Sequence, residues 1–143
     1  MQELPHVPES FIHLDMVFTF LDRDACLVYE PIIFELNRYR TIHVVLDNGK
    51  VREITQVPNI PKALKMLGME MKTISCGGTA DPWIQEREQW HSGANFFAFA
   101  PGKVMGYERN THTLEELNKN GFEIITADEV ITGSKSPDDY ARC

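Results

Sequence analysis

Twice along this chain the apolar pattern, turn signals and helix caps spell the same order: strand, strand, helix, strand. The later unit is the clearer. Asn95–Ala100 reads as a buried strand, Pro101-Gly102 as a turn and Lys103–Glu108 as a second strand. Thr113-Leu114-Glu115-Glu116 matches the capping box, so a helix is expected to run to about Asn120 and stop at Gly121. Phe122–Thr126 would then close the unit as a strand. Upstream the order recurs: a strand over Phe11–Phe20, a short one over Ala25–Glu30, a helix over about Lys62–Leu67 and a strand over Met69–Ser75. Pro58-Asn59-Ile60-Pro61 opens that helix and Gly68 stops it. Asn48-Gly49 between the alternating runs Thr41–Leu46 and Val51–Thr55 signals a hairpin, inserted as residues 41–55. Asp81-Pro82 opens a further short helix over Trp83–Trp90. A module repeated within one chain points to radial or stacked architecture. Closed propellers use four or more units, so a 143-residue chain with two is expected to be part of something larger.

The first strand of the earlier unit carries the chemistry. As a strand, Phe11–Phe20 sorts onto two faces: Ile12, Leu14, Met16, Phe18 and Phe20 on one, Phe11, His13, Asp15, Val17 and Thr19 on the other. An imidazole and a carboxylate would stand on one rigid face, roughly 7 Å apart along the strand. Such a pair suits a flat cationic group held between an acid/base and a counter-charge. Taken singly, His13 reads first as a half-buried strand histidine satisfied by a backbone carbonyl, and Asp15 could be a solvated strand residue. By default Arg87, Glu88 and Trp90 form a solvated helix face with one buried aromatic. Asn95 by default starts a strand and bonds its own loop.

Composition narrows the partners. With 14 Lys and Arg against 21 Asp and Glu, the net charge of −7 argues against nucleic acid or an anionic membrane surface as ligand. A hydrophobic content of 43% supports a true core in a single-domain length of chain. Met1–Ser10 lacks the basic and apolar regions of a signal peptide, and no stretch is apolar enough for a membrane helix, so a cytoplasmic protein is expected. Cys26, Cys76 and Cys143 are expected as reduced thiols. No metal-ligand motif is present, and no metal or organic cofactor is expected.

His13-Leu14-Asp15 followed by Met16-Val17-Phe18-Thr19 resembles the histidine–aspartate strand of bacterial arginine deiminases. Arg87-Glu88-Gln89-Trp90-His91-Ser92-Gly93-Ala94-Asn95, continued by Ala100-Pro101-Gly102-Lys103-Val104-Met105-Gly106-Tyr107-Glu108-Arg109-Asn110, resembles that family more closely still. The first motif is shared with the wider guanidine-modifying superfamily; the second narrows the match. The resemblance runs from Phe11 to the C-terminus. It implies an α+β fold of the pentein type, a five-bladed α/β propeller of strand-strand-helix-strand units. Residues 1–143 would be one partial domain holding two late blades, the first about 11–75 with its 41–55 insertion, the second about 95–126. It implies L-arginine as substrate, hydrolysed to L-citrulline and ammonia through a covalent cysteine thiouronium. His13 would be the catalytic histidine that protonates ammonia and then activates water. Asp15 would be one of two carboxylates gripping the guanidinium. The backbone carbonyl of Asn95 would receive the substrate's α-amino group.

The departures from the family pattern fall on its nucleophile. In the family this cysteine follows a glycine-rich loop near the C-terminus. Here Asp138-Asp139-Tyr140-Ala141-Arg142-Cys143 has no such run, so Cys143 is expected to lie upstream of the nucleophile's position, and Cys26 and Cys76 fit it no better. The expectation is a C-terminal portion of an arginine deiminase, inactive by itself, forming a homo-oligomer or associating with the rest of the propeller. The alternatives are an inactive arginine-binding or interaction module, and a related guanidine hydrolase or amidinotransferase.

Overall fold

A computed structural model describes residues Met1–Cys143. The chain runs through β1 (Phe18–Phe20), β2 (Ala25–Val28), α1 (Glu30–Ile33), the hairpin of β3 (Thr41–Asp47) and β4 (Lys50–Val57), α2 (Ile60–Met66) and β5 (Lys72–Ser75). It continues through α3 (Pro82–Trp90), the hairpin of β6 (Phe97–Ala100) and β7 (Lys103–Met105), α4 (Thr111–Lys119) and α5 (Ala127–Ile131). The architecture is mixed α and β. One three-stranded and two two-stranded sheets stay separate, and none closes on itself.

The three-stranded sheet has the order β1-β2-β5. β1 pairs antiparallel with β2, Phe18 opposite Val28; β5 pairs parallel on the other side, Ala25 opposite Lys72 and Val28 opposite Ser75. A parallel partner needs a long crossover, and α1, the β3–β4 hairpin and α2 supply it. The inserted hairpin turns at Asn48 and Gly49, both with positive φ (48° and 74°), the conformation Asn-Gly favours. Asn59 caps α2 by accepting from the Lys62 N–H at 2.9 Å, as the Pro58–Pro61 signal predicts.

β2 is buried on both faces, and its period-two alternation divides the core. Ala25 and Leu27 join Leu21, Ile74, Cys76, Ala94, Phe96, Leu117 and Phe122 on one side. Cys26 and Val28 join Val17, Phe18, Tyr29 and Ile33 on the other. The first cluster ties the early sheet to α4 and the second hairpin; the second lies under α1, α2 and the N-terminal segment.

Several expectations are corrected. Phe11–Phe20 is not one strand: 3-10 turns occupy Glu9–Phe11 and Leu14–Met16, and only Phe18–Phe20 joins the sheet. Its supposed apolar face is not uniformly buried, since Ile12 and Leu14 are 41% and 42% exposed while Val17, assigned to the other face, is fully buried. β6 begins at Phe97, β7 ends at Met105, and β6 is exposed, not buried, with Phe97 at 64%. Phe122–Thr126 pairs in no strand ladder; the chain instead enters α5, where Thr126 and Glu129 form a reciprocal capping box. The same four-residue pattern at Thr113 is no cap, because α4 starts two residues earlier and buries Thr113 inside its first turn.

Candidate functional site

His13 caps the N-terminal end of the Leu14–Met16 turn in extended conformation. Two backbone bonds close that turn, from Met16 N–H to the His13 carbonyl (3.2 Å) and from Val17 N–H to the Leu14 carbonyl (3.0 Å). The strand alternation that would set His13 and Asp15 on one face therefore does not apply. Both side chains are exposed, and the His13 imidazole makes no hydrogen bond or ion pair. Asp15 has a partner from far along the chain: Asn95 Nδ2 donates to its Oδ2 at 3.0 Å and approaches the Met16 sulfur at 3.7 Å. Thr19 adds a stitch beside it, its hydroxyl donating to the Ala94 carbonyl at 2.7 Å. The two motifs singled out in the sequence thus meet at Asp15 and Asn95. The Asn95 carbonyl accepts no hydrogen bond from the chain.

Helix α3 builds the ground beneath that meeting. Asp81 caps it, accepting from Trp83 N–H at 2.8 Å, and Pro82 takes the first helical position. Its polar residues Gln85, Glu88 and Gln89 are buried, while Trp83 and Trp90 are exposed, the reverse of a solvated polar face with a buried aromatic. The fully buried Glu88 carboxylate accepts from the backbone N–H groups of His112 (2.9 Å) and Thr113 (2.7 Å) and from the Thr113 hydroxyl (2.6 Å). It thereby satisfies the unpaired donors at the start of α4 and lies at the positive end of that helix. Beyond α3 the chain turns tightly: Gly93 N–H donates to the Glu88 carbonyl at 2.7 Å. A β-carbon on Gly93 would lie 2.7 Å from that oxygen and 2.9 Å from the Cys76 sulfur, so only glycine fits. This turn delivers Asn95 to Asp15.

Glu88 and Gln89 are the residues that reading the sequence for function missed. Their signal was present: Gln85, Glu88 and Gln89 form an i, i+3, i+4 stripe, which is the spacing of a buried helix face. The stripe is polar, and the two tryptophans drew the apolar face to the wrong side.

None of the three thiols joins this meeting point. Burial pushes the Cys26 thiol up to about 12. Cys76 is likewise pushed up to about 12, chiefly by burial, against a lowering contribution from the Thr113 hydroxyl. Cys143 is buried at the far end of β1: its backbone bonds Gly102 and Val104, Gly102 in turn bonds Leu21, and Arg142 pairs with Asp22 and Asp24. No group of three or more His, Cys, Asp or Glu side chains is placed to hold a metal ion. No helix is long and apolar enough to cross a membrane.

The arginine deiminase family model matches residues 3–135. An arginine deiminase of Mycoplasma capricolum subsp. capricolum is 37% identical over 118 residues, 82% of this chain and 28% of that relative. One of Clostridium perfringens is 37% identical over 139 residues, 92% of this chain and 32% of that relative. One of Mycobacterium marinum is 35% identical over 128 residues, 88% of this chain and 31% of that relative. The chain therefore spans less than a third of the length of these relatives. Its match covers both motifs that meet at Asp15 and Asn95, and the chain belongs to the arginine deiminase family.

Proposed function

We propose that this chain forms part of an arginine deiminase, which hydrolyses L-arginine to L-citrulline and ammonia. Asp15 grips the substrate guanidinium through charge-assisted hydrogen bonds. His13 hands a proton to the departing ammonia and then takes one from the incoming water. The Asn95 carbonyl receives the α-amino group. The observation that carries this proposal is the 3.0 Å bond from Asn95 to Asp15, which joins two motifs 80 residues apart. The unpaired Asn95 carbonyl and the exposed His13 imidazole support it.

The chemistry we assign is covalent. A cysteine thiolate attacks the guanidinium carbon, ammonia leaves, and water cleaves the S-alkylthiouronium to release citrulline and restore the thiol. The burial of Cys26 and Cys76, and the distance along β1 between Cys143 and Asp15, favour a nucleophile other than these three thiols. In architecture we assign β1, β2, α2 and β5, with the 41–55 insertion, to one blade of a five-bladed α/β propeller of the pentein type. The β6–β7 hairpin, α4 and residues 122–126 belong to the next. The partner is then the remainder of that propeller or a further copy of the chain, in the cytoplasm.

Titration of the chain with arginine, followed by NMR at the His13 imidazole and the Asn95 side-chain amide, tests the site. Arginine is expected to shift both signals, lysine to shift neither, and Asp15→Asn to abolish the response. Equal response to lysine would refute guanidinium recognition. Citrulline release by the chain alone, abolished by Cys143→Ser, would overturn the exclusion of Cys143.

A further inference from the structure

Gln89 is fully buried, and its amide grips the candidate site from below. Nε2 donates to the Ser10 carbonyl at 2.6 Å and to the Met16 carbonyl at 3.2 Å. These two carbonyls bracket the segment that carries His13 and Asp15. The Gln89 Oε1, also buried, has no hydrogen-bond partner. An unpaired buried acceptor is a cost that a leucine or methionine here would avoid, so packing alone does not explain the residue. What glutamine adds is two donors on one atom, placed between two carbonyls six residues apart.

The need for such a clamp is visible in the segment itself. Residues 11–16 contribute no strand to the sheet, and Ile12, His13, Leu14 and Asp15 are all exposed. Little apolar burial holds them, and short 3-10 turns are weak elements. The same end of α3 leads through the Gly93 turn to Asn95. One helix terminus therefore controls both partners of the Asn95–Asp15 bond, the first by side chain and the second by chain direction.

We infer that Gln89 is a positioning residue for the reaction, holding the His13–Asp15 turn in register with Asn95 through its two bonds to the Ser10 and Met16 carbonyls. The role in the reaction rests on the deiminase site proposed above; the clamp itself does not.

The two are separated by measuring order and binding independently in the 143-residue chain. In Gln89→Met, which keeps the side-chain length and removes both donors, the Met16 and Val17 amides should lose protection from hydrogen exchange by roughly tenfold or more. The Leu117 amide should change only as global stability does. The Asn95 side-chain signal should move toward its free position. Arginine affinity should fall roughly tenfold, whereas a Leu117→Ala control, destabilised elsewhere, should keep it. Unchanged Met16 and Val17 protection and an unmoved Asn95 signal would overturn the clamp. If the wild-type chain binds no arginine while the exchange results hold, the clamp stands and the deiminase site fails. Loss of affinity equal to that of the Leu117→Ala control would reduce Gln89 to a structural residue. Should Gln89→Met not fold, the wild-type Gln89 side-chain amide decides: its protons must exchange slowly and show coupling across the hydrogen bonds to the Ser10 and Met16 carbonyl carbons. Fast exchange without coupling would refute the proposal.

Discussion

The two units that the sequence suggested differ in their last element and in how they are held, since residues 122–126 pair in no ladder. In the first, β2 lies between β1 and β5 with a hydrophobic cluster on each face. In the second, β6 and β7 form a two-stranded hairpin, and Phe97 and Met105 stand exposed and opposite each other. The backbone of Cys143 pairs with Gly102 and Val104 beside it, and the stretch after α4 turns into another helix. A sheet with a buried central strand draws on both faces for stability, while a two-stranded ribbon depends on what covers it. Similar patterns of letters thus encode a strand covered on both faces and a hairpin that presents its apolar side outward.

Thiol chemistry should separate the units most sharply. Thiols moved from 9.0 to about 12 at Cys26 and Cys76 retain roughly a thousandth of their thiolate near neutral pH. Alkylation of both is expected only on unfolding, while Cys143, 8% exposed where the other two are fully buried, labels first. Mass mapping of labelled sites checks the order, and early labelling of Cys26 would erase the contrast.

Next in size is the packing difference. Leu27→Ala in β2 is expected to destabilise by about 3 kcal/mol in urea denaturation. Phe97→Ala in β6 should cost less than about 1 kcal/mol despite the larger side chain removed. Comparable losses would mean that the exposed hairpin face is covered in solution.

The smallest effect concerns α5, which stands where the second unit would have closed with a strand. The Thr126 backbone N–H, and after it Lys135, hold the Glu129 carboxyl below its usual 4.5. Because the folded value is lowered, the contribution is complete above the usual value and lost as pH falls through the lowered one. Carbon chemical shifts of Ala127–Ile131 should report fraying of α5 in acid while β2 is unaffected. Thr126→Ala should cost about 1 kcal/mol of local helix stability at neutral pH.

Local signals carried much of the fold. The Asn48-Gly49 hairpin, the Asn59 and Asp81 caps, and helices α2 and α3 are legible because each depends on a few neighbouring residues. Phe11–Phe20 misled because its alternation suits a strand, yet no sheet partner lies beside its first half, and the backbone turns back on itself instead. Thr113 misled because Ser/Thr-x-x-Glu is a local pattern whose use depends on what else is offered. Glu88, from another helix, already supplies the accepting carboxylate at the start of α4, whereas at the start of α5 the Thr126 N–H donates to Glu129 of that same helix.

By itself the sequence determined the chain's family, the Asn48-Gly49 hairpin and the capped helices α2 and α3, since these reside in motifs a few residues long. Only the tertiary structure decided that Asp15 and Asn95 touch, that Glu88 and Gln89 are buried under them, and that Cys26 and Cys76 are sealed away. Those outcomes depend on contacts 24 to 80 residues apart in sequence or on burial against other elements. A periodicity reports which face of an element is apolar, not which element will cover it, and polar residues follow their hydrogen-bond partners inside.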